Sequence, residues 1–349
     1  MLARRGPGQG RGRPAVALAV VLAVVLAAAW AVVRAGQPAD PAARRGELVA
    51  VPVGSGVAEV ARLLAERGII RSALYFEALS LVTGQSRRLE AGTYRLAPAM
   101  APAAILQRLA NGDVAVAQVT VVPGMTVAEV ARVVARAGLV SAAAFVAYAR
   151  SASPPPGFAP SGAVPVPLEG YLYPDTYRIA FGSSPAEVAA PMVVAFERAF
   201  GPSERAAARA EGLTPAQAVT LASIVQREAA SPGVRREVAG VFLNRLHRGM
   251  PLGSDATVYY AAQVAPGQAL TASELRIASP YNTLRHTGLP PGPIDSPGGG
   301  ALAAALHPAR VPYLYFYARP DGRYVFSRTY AGQLAAEAKA TGRGGADGG

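Results

Sequence analysis

Thr214-Pro215-Ala216-Gln217-Ala218-Val219-Thr220-Leu221-Ala222-Ser223-Ile224-Val225-Gln226-Arg227-Glu228 is followed by Ala229-Ala230-Ser231-Pro232-Gly233. A threonine that can cap, then proline at the first helical position, starts a helix. Ser231-Pro232-Gly233 stops it near Ala230. Leu221, Ile224 and Val225 lie on the same stripe as Glu228, so the acid belongs to the apolar face of the helix. Arg227 projects about 100° away from it. Burial and the negative end of the helix dipole both disfavour a carboxylate, and both raise its pKa. A carboxylic acid kept neutral near neutral pH can serve as a general acid. The same placement also suits a carboxyl that caps a buried helix end or pairs with a buried arginine. The helix alone does not choose between them.

The 349 residues predict about two domains with additions. Hydrophobic residues are 51% and charged residues 16%, which excludes wholesale disorder. There is no cysteine, so disulfides, thiolate catalysis, Fe–S clusters, zinc–thiolate sites and a lipidated cysteine are excluded. The three histidines, His247, His286 and His307, are far apart, and neither a metal nor a cofactor is expected. The net charge of +12 is carried by scattered arginines, with Lys339 the only lysine. No nucleic-acid motif accompanies them, so no nucleic-acid partner is expected. A basic surface suits an anionic membrane or wall equally well. No phosphate-binding loop, dinucleotide fingerprint or Gly-x-Ser-x-Gly elbow occurs.

Arg4, Arg5, Arg11 and Arg13 form a basic tail, residues 1–14. Ala15 to Val33 is an unbroken apolar run of nineteen residues, closed by Arg34. As a helix it spans roughly 28 Å, close to the hydrocarbon core of a bilayer. Trp30 near its end suits the interface. The positive side stays inside, which predicts a single-pass anchor in the cytoplasmic membrane with the tail cytoplasmic and the rest extracytoplasmic. The competing reading is a cleaved signal peptide, whose apolar region is usually shorter.

Residues 34–46 form a linker, and an internal repeat follows. Val53-Gly54-Ser55-Gly56-Val57-Ala58-Glu59-Val60-Ala61-Arg62 returns seventy residues later as Pro123-Gly124-Met125-Thr126-Val127-Ala128-Glu129-Val130-Ala131-Arg132. Each copy predicts strand, glycine turn and amphipathic helix, closing on Gly68-Ile69-Ile70 or Gly138-Leu139-Val140. Gly92 to Leu96 reads as a strand, and Pro102 to Ala110 as a helix ended by Asn111-Gly112. Small β-α-α-β units of this kind resemble LysM modules, which bind peptidoglycan glycan; a spacer that binds nothing fits as well. The expected organisation is a LysM-like subdomain over 47–115 and a catalytic domain over 116–340. The second domain includes the repeat copy at 119–140 and a Ser/Pro/Gly loop at 151–167. A disordered tail over 341–349 completes it. The fold class is α+β, with the Glu228 helix expected against a β-sheet.

Leu221 to Ala229 resembles the signature of the MltG/YceG-like endolytic murein transglycosylases. Further segments match that family in order: Leu168-Glu169-Gly170-Tyr171-Leu172-Tyr173-Pro174-Asp175-Thr176-Tyr177 upstream, then Val238 to Leu246, Gly249 to Leu252, Ser254-Asp255 and Thr257-Val258-Tyr259. Ser279-Pro280-Tyr281-Asn282-Thr283, Gly288 to Ile294, Ser296-Pro297-Gly298 and Pro312 to Phe316 complete the series. The resemblance covers about residues 47–335. The chain departs from the family at Gly253, Ala256 and Leu284, and at Tyr324 and Gln333, where histidine is frequent. Those lost histidines put in doubt a role for the C-terminal strands in substrate contact. Gln226 replaces an acid, which leaves Glu228 as the only acid in the last two turns of its helix.

The resemblance implies cleavage of the bond between N-acetylmuramic acid and N-acetylglucosamine without water. One glutamate protonates the leaving oxygen and then helps the muramoyl C6 hydroxyl close a 1,6-anhydro ring. One carboxyl suffices because the substrate supplies the nucleophile, whereas ordinary glycosidases need two. Glu228 is therefore the expected catalytic residue. The expected substrate-binding set is Glu169, Tyr173, Asp175, Tyr177, Ser223, Asn244, Asp255, Thr257, Tyr281, Asn282 and Thr283. Glu169, Asp175 and Asp255 are the candidates for a second acid. The tyrosine cluster reads either as a sugar platform or as a packed turn, and Asn282 either as a substrate donor or as an Asx turn. Asp255, with Ser254 and Thr257, is expected to orient either Glu228 or a substrate amide, and Arg245 to meet either a buried acid or glycan. The implied partners are peptidoglycan glycan strands, the membrane through residues 15–33, and peptidoglycan synthases. A two-carboxylate hydrolase and a non-enzymatic wall-binding scaffold are the competing readings.

Overall fold

The structure, a computed structural model, describes residues 12–43, 45–265, 267–319 and 321–340. The start of the basic tail and the C-terminal tail expected from the sequence lie outside the described residues. The apolar run forms α1 (Gly12–Ala35), whose residues 16–35 are long and apolar enough to cross a membrane and are not buried by the rest of the chain. The chain divides into two compact units. One holds residues up to 116 together with 180–182, and the other holds 117–179 with 183 onward.

In the first unit, β1 (Glu47–Val51), α2 (Val57–Glu66), α3 (Ala73–Val82), β2 (Gly92–Leu96) and α4 (Pro102–Ala110) follow α1. β1 pairs antiparallel with β2, with Val49 opposite Tyr94. Alternation puts Val49, Val51, Tyr94 and Leu96 on the inner face. They meet Val60, Leu64, Phe76, Ile105 and Leu109 in one core.

The second unit opens with the other copy of the repeat: β3 (Val116–Thr120), α5 (Val127–Arg136), α6 (Ala142–Ser151) and β4 (Thr176–Ala180), with β3 paired to β4. The two copies share a backbone requirement. Gly54 and Gly124 turn at φ 84° and 89°, and Gly68 and Gly138 end their helices at φ 66° and 75°, where a side chain would be strained. Thr126 and Glu129 close a reciprocal capping box on α5.

Then come α7 (Pro185–Ala199), α8 (Pro202–Ala210), α9 (Pro215–Glu228), α10 (Pro232–His247), α11 (Asp255–Ala262), α12 (Ala272–Leu275) and α13 (Gly299–Leu306). A hairpin of β5 (Tyr315–Ala318) and β6 (Tyr324–Ser327) and then α14 (Tyr330–Ala340) end the described chain. The Thr214 hydroxyl and Gln217 cap α9 reciprocally.

The expectation that the Glu228 helix lies against a β-sheet is corrected. Every sheet among the described residues has two strands. α9 is instead a central helix, packed chiefly on α10 and α13 and flanked by α8 and α11. The reason is its composition. Ala216 to Val225 is buried almost all round, and the alanines and Ser223 let neighbouring helices approach closely. Leu221, Ile224 and Val225 join Phe196, Phe242, Leu302 and Leu306 in the core, each worth roughly 1.5–3 kcal/mol of burial.

Candidate active site

Glu228 is the last residue of α9, and its side chain is half-buried. Its Oε1 accepts a hydrogen bond from the Ser254 hydroxyl, the residue that precedes α11. Burial holds the Glu228 carboxyl above the usual range for a glutamate, and the negative charge of Asp255 adds to this. The Ser254 hydrogen bond and the Arg245 guanidinium pull the other way. This balance leaves a carboxyl that can carry a proton, with a donor and a cation in place for the anion that forms when the proton leaves.

Ser254 is held by a buried hydroxyl network. Its amide donates to Thr283 Oγ1 at 3.2 Å, and its carbonyl accepts from Thr257 Oγ1 at 2.7 Å. The two threonine hydroxyls stand 2.9 Å apart, and the Thr283 amide donates to Thr257 Oγ1. Gly253 N donates to the Thr283 carbonyl. Ser254, Thr257 and Thr283 are each at most 2% exposed, so their hydroxyls satisfy one another out of water.

Arg245 sits on α10, its guanidinium over the Tyr315 ring at 5.2 Å. Nε donates to the Leu314 carbonyl at 2.6 Å, and a second nitrogen donates to the Leu252 carbonyl. The cation is thus fixed by backbone and not by an acid. Asn244 Nδ2 donates to the carbonyls of Val311 and Tyr313 and so ties the segment before β5 to α10. The Tyr324 hydroxyl on β6 donates to the Glu228 carbonyl at 2.5 Å, capping the end of α9.

The remaining predicted residues divide. Asp255 is exposed and acts on Glu228 only through its charge; Ser254, not Asp255, makes the bond. Asn282 is fully buried. Its amide donates to the Leu275 and Ile277 carbonyls, and its Oδ1 accepts from Leu284 N, the Asx-turn arrangement. Ser223, also buried, donates to Thr220 O and accepts from Ile294 N. Tyr177 is 8% exposed and donates to the Tyr173 carbonyl, so this tyrosine belongs to a packed turn. Tyr173 is half-buried, and Asp175 is exposed with its Oδ1 accepting from Thr176 N.

Glu169, expected as a glycan ligand and as a candidate second acid, is engaged by the protein itself. It is 4% exposed, and its carboxyl accepts from Val127 N at 2.9 Å at the start of α5. Burial pushes it well above the usual range, and the charge of Asp295 adds to this. Tyr281 is also buried, its ring tilted against Tyr260 at 4.9 Å.

Asp295 lies between Gly288 to Ile294 and Ser296-Pro297-Gly298, and no local sequence signal marks it. It is fully buried, with Arg227 Nε 2.9 Å from Oδ2 but poorly directed for a hydrogen bond. Burial pushes its carboxyl up to about 8, against the pull of Arg227. Arg227 and Glu228, adjacent in sequence and about 100° apart around α9, therefore serve different partners. Among the described residues no group of three or more histidine, aspartate or glutamate side chains is placed to hold a metal ion.

The YceG-like family matches residues 49–339. The chain is 32% identical over 291 residues to the endolytic murein transglycosylase of Bacillus subtilis (strain 168), covering 80% of each protein. It is 30% identical over 311 residues to the endolytic murein transglycosylase of Streptococcus pneumoniae serotype 2 (strain D39 / NCTC 7466), covering 80% of this chain and 56% of that one. The crystal structure of a yceG-like protein from Listeria monocytogenes has a TM-score of 0.56 and 30% identity, over 83% of this chain and 99% of that one.

Proposed function

This chain belongs to the YceG-like family, and from that premise we propose that it is a membrane-anchored peptidoglycan lytic transglycosylase with Glu228 as its single general acid and base. In the first half-reaction Glu228 gives its proton to the glycosidic oxygen, and the bond from the muramoyl anomeric carbon to that oxygen breaks. In the second, the C6 hydroxyl of the same muramic acid attacks the anomeric carbon and returns its proton to Glu228. No water enters, and the new end carries a 1,6-anhydro ring. The Ser254 hydroxyl and Arg245 stabilise the carboxylate that exists between the two steps.

The observation that carries this reading is the isolation of Glu228 as a carboxyl with a hydroxyl donor of its own. Glu169 and Asp295 are buried on other partners, Asp175 is exposed with its Oδ1 accepting from Thr176 N, and Asp255 is exposed and meets Glu228 only through its charge. A two-carboxylate hydrolase lacks its second member on this view. Helix α1 serves as the anchor that keeps the enzyme beside newly made strands and their synthases, where tethering raises its effective concentration. The β-α-α-β module of the first unit is the LysM-like part. Digesting uncrosslinked strands and weighing the product ends tests the chemistry: ends lighter by one water support the transglycosylase, and hydrated reducing ends select the hydrolase.

A further inference from the structure

Helix α3 is apolar on two opposite sides. One side, Phe76 and Ser80 with the half-buried Leu79, belongs to the core of the first unit. On the other side Leu74, Leu81 and Val82 are 78%, 68% and 88% exposed, with exposed Ala78 among them. These four positions fall within about 100° of the helix circumference, a continuous stripe with no charged residue in it. Such a stripe marks an interaction surface.

Three observations say what covers it. First, α1 ends beside α3: a Cβ on Gly36 would lie 2.6 Å from the Tyr75 hydroxyl, and Arg71 Nε donates to the Pro38 carbonyl at 3.0 Å. The end of α1 therefore lies against the start of α3. Second, exposed arginines bracket the stripe, Arg71 before it and Arg87 and Arg88 after it. Glu77 is the one acid on the helix, and it is half-buried on a flank. Third, Tyr75 adjoins the stripe, a residue type favoured where hydrocarbon meets water.

We propose that α3 lies in the interface of the bilayer that α1 crosses, with Leu74, Leu81 and Val82 in the acyl boundary and Arg71, Arg87 and Arg88 on anionic headgroups. This rests on α1 being a membrane anchor. It gives the first unit a fixed seat on the lipid, where a single span would leave a free tether.

The test uses the full chain in vesicles that contain anionic lipid. The absence of natural cysteine allows single labels through Leu81→Cys, Val82→Cys and, within the anchor, Val24→Cys. Each carries an environment-sensitive fluorophore, read with and without nitroxide-bearing lipid. Labels at 81 and 82 should shift to the blue and lose intensity to the nitroxide, and the loss should weaken when the anionic lipid is replaced by zwitterionic lipid. A quenched label at 24 with unquenched labels at 81 and 82 overturns the proposal and leaves the anchor standing. An unquenched label at 24 overturns the anchor reading and this proposal with it.

Discussion

The Ser254 hydroxyl donates a hydrogen bond to Oε1 of Glu228 across 26 residues of sequence, joining the end of α9 to the start of α11. Removing it takes away the one donor that favours the Glu228 carboxylate directly. Ser254→Ala should raise the Glu228 pKa further. A general acid works protonated, so activity falls as pH rises through that pKa, and the falling limb of the pH–rate profile should move to higher pH. A hydrogen bond to a charged group is worth about 1.5–3 kcal/mol, so kcat should drop about 10- to 100-fold. An unmoved limb would show that Ser254 does not act on the acid.

Tyr324→Phe deletes the hydroxyl that caps the Glu228 carbonyl. A thermal melt should show a loss of about 1 kcal/mol. Activity should fall through a looser α9 end, with kcat affected more than KM. A full-strength kcat in the variant would detach β6 from the site.

Gly240→Ala should be among the most damaging small substitutions in the second unit. Gly240 lies inside α10, where an added Cβ would stand 2.3 Å from the Ala309 carbonyl oxygen and 3.0 Å from a Val311 methyl. The neighbour is backbone, so it cannot rotate away. Denaturant unfolding should report a loss of about 1–3 kcal/mol or more. The Asn244 bonds to Val311 and Tyr313 would be strained with it.

Asp295 sets a pH dependence of stability. Its carboxyl stands at about 8 in the folded protein against an ordinary 3.8. The folded state then holds the proton more tightly than the unfolded chain. The stability this gives is full below the unfolded value and is lost as pH rises through the folded one. The melting temperature should therefore fall between about pH 4 and about pH 8, and Asp295→Asn should flatten that fall. Buried Glu169, raised in the same direction, adds to the slope in both proteins. An equal slope in the variant would remove Asp295 from the account.

Local signals were legible in the sequence, and tertiary ones were not. Thr214-Pro215 and Ser231-Pro232 bracket a helix that runs Pro215–Glu228, because caps and proline act within a few residues. Pro102–Ala110 and Gly92–Leu96 form at the positions read from their own residues. Glu228 itself stood out because the 3.6-residue period puts it beside Val225 and Ile224. Its partners stand out only in part. Ser254 reads with Asp255 and Thr257 as a group that could orient Glu228, but which of the three makes the bond is not legible, and nothing near Tyr324, 96 residues away, announces its contact. Glu169 reads as a surface acid among tyrosines, because the strand that follows alternates exposure and does not reveal that Leu168 to Leu172 turn inward. Ala, Val and Leu around α9 serve a helix bundle as well as a helix on a sheet, so the packing partner was not legible either.

The central claim is that Glu228 alone carries the proton. The most direct test is Glu228→Gln in the full-length protein, compared with the unchanged protein on uncrosslinked glycan strands, with product ends read by mass spectrometry and the fold checked by its melting curve. The account predicts a folded variant whose cleavage falls by about 100- to 10,000-fold, with the anhydro ends gone. A folded variant that still yields anhydro ends at a rate near that of the unchanged protein would contradict it.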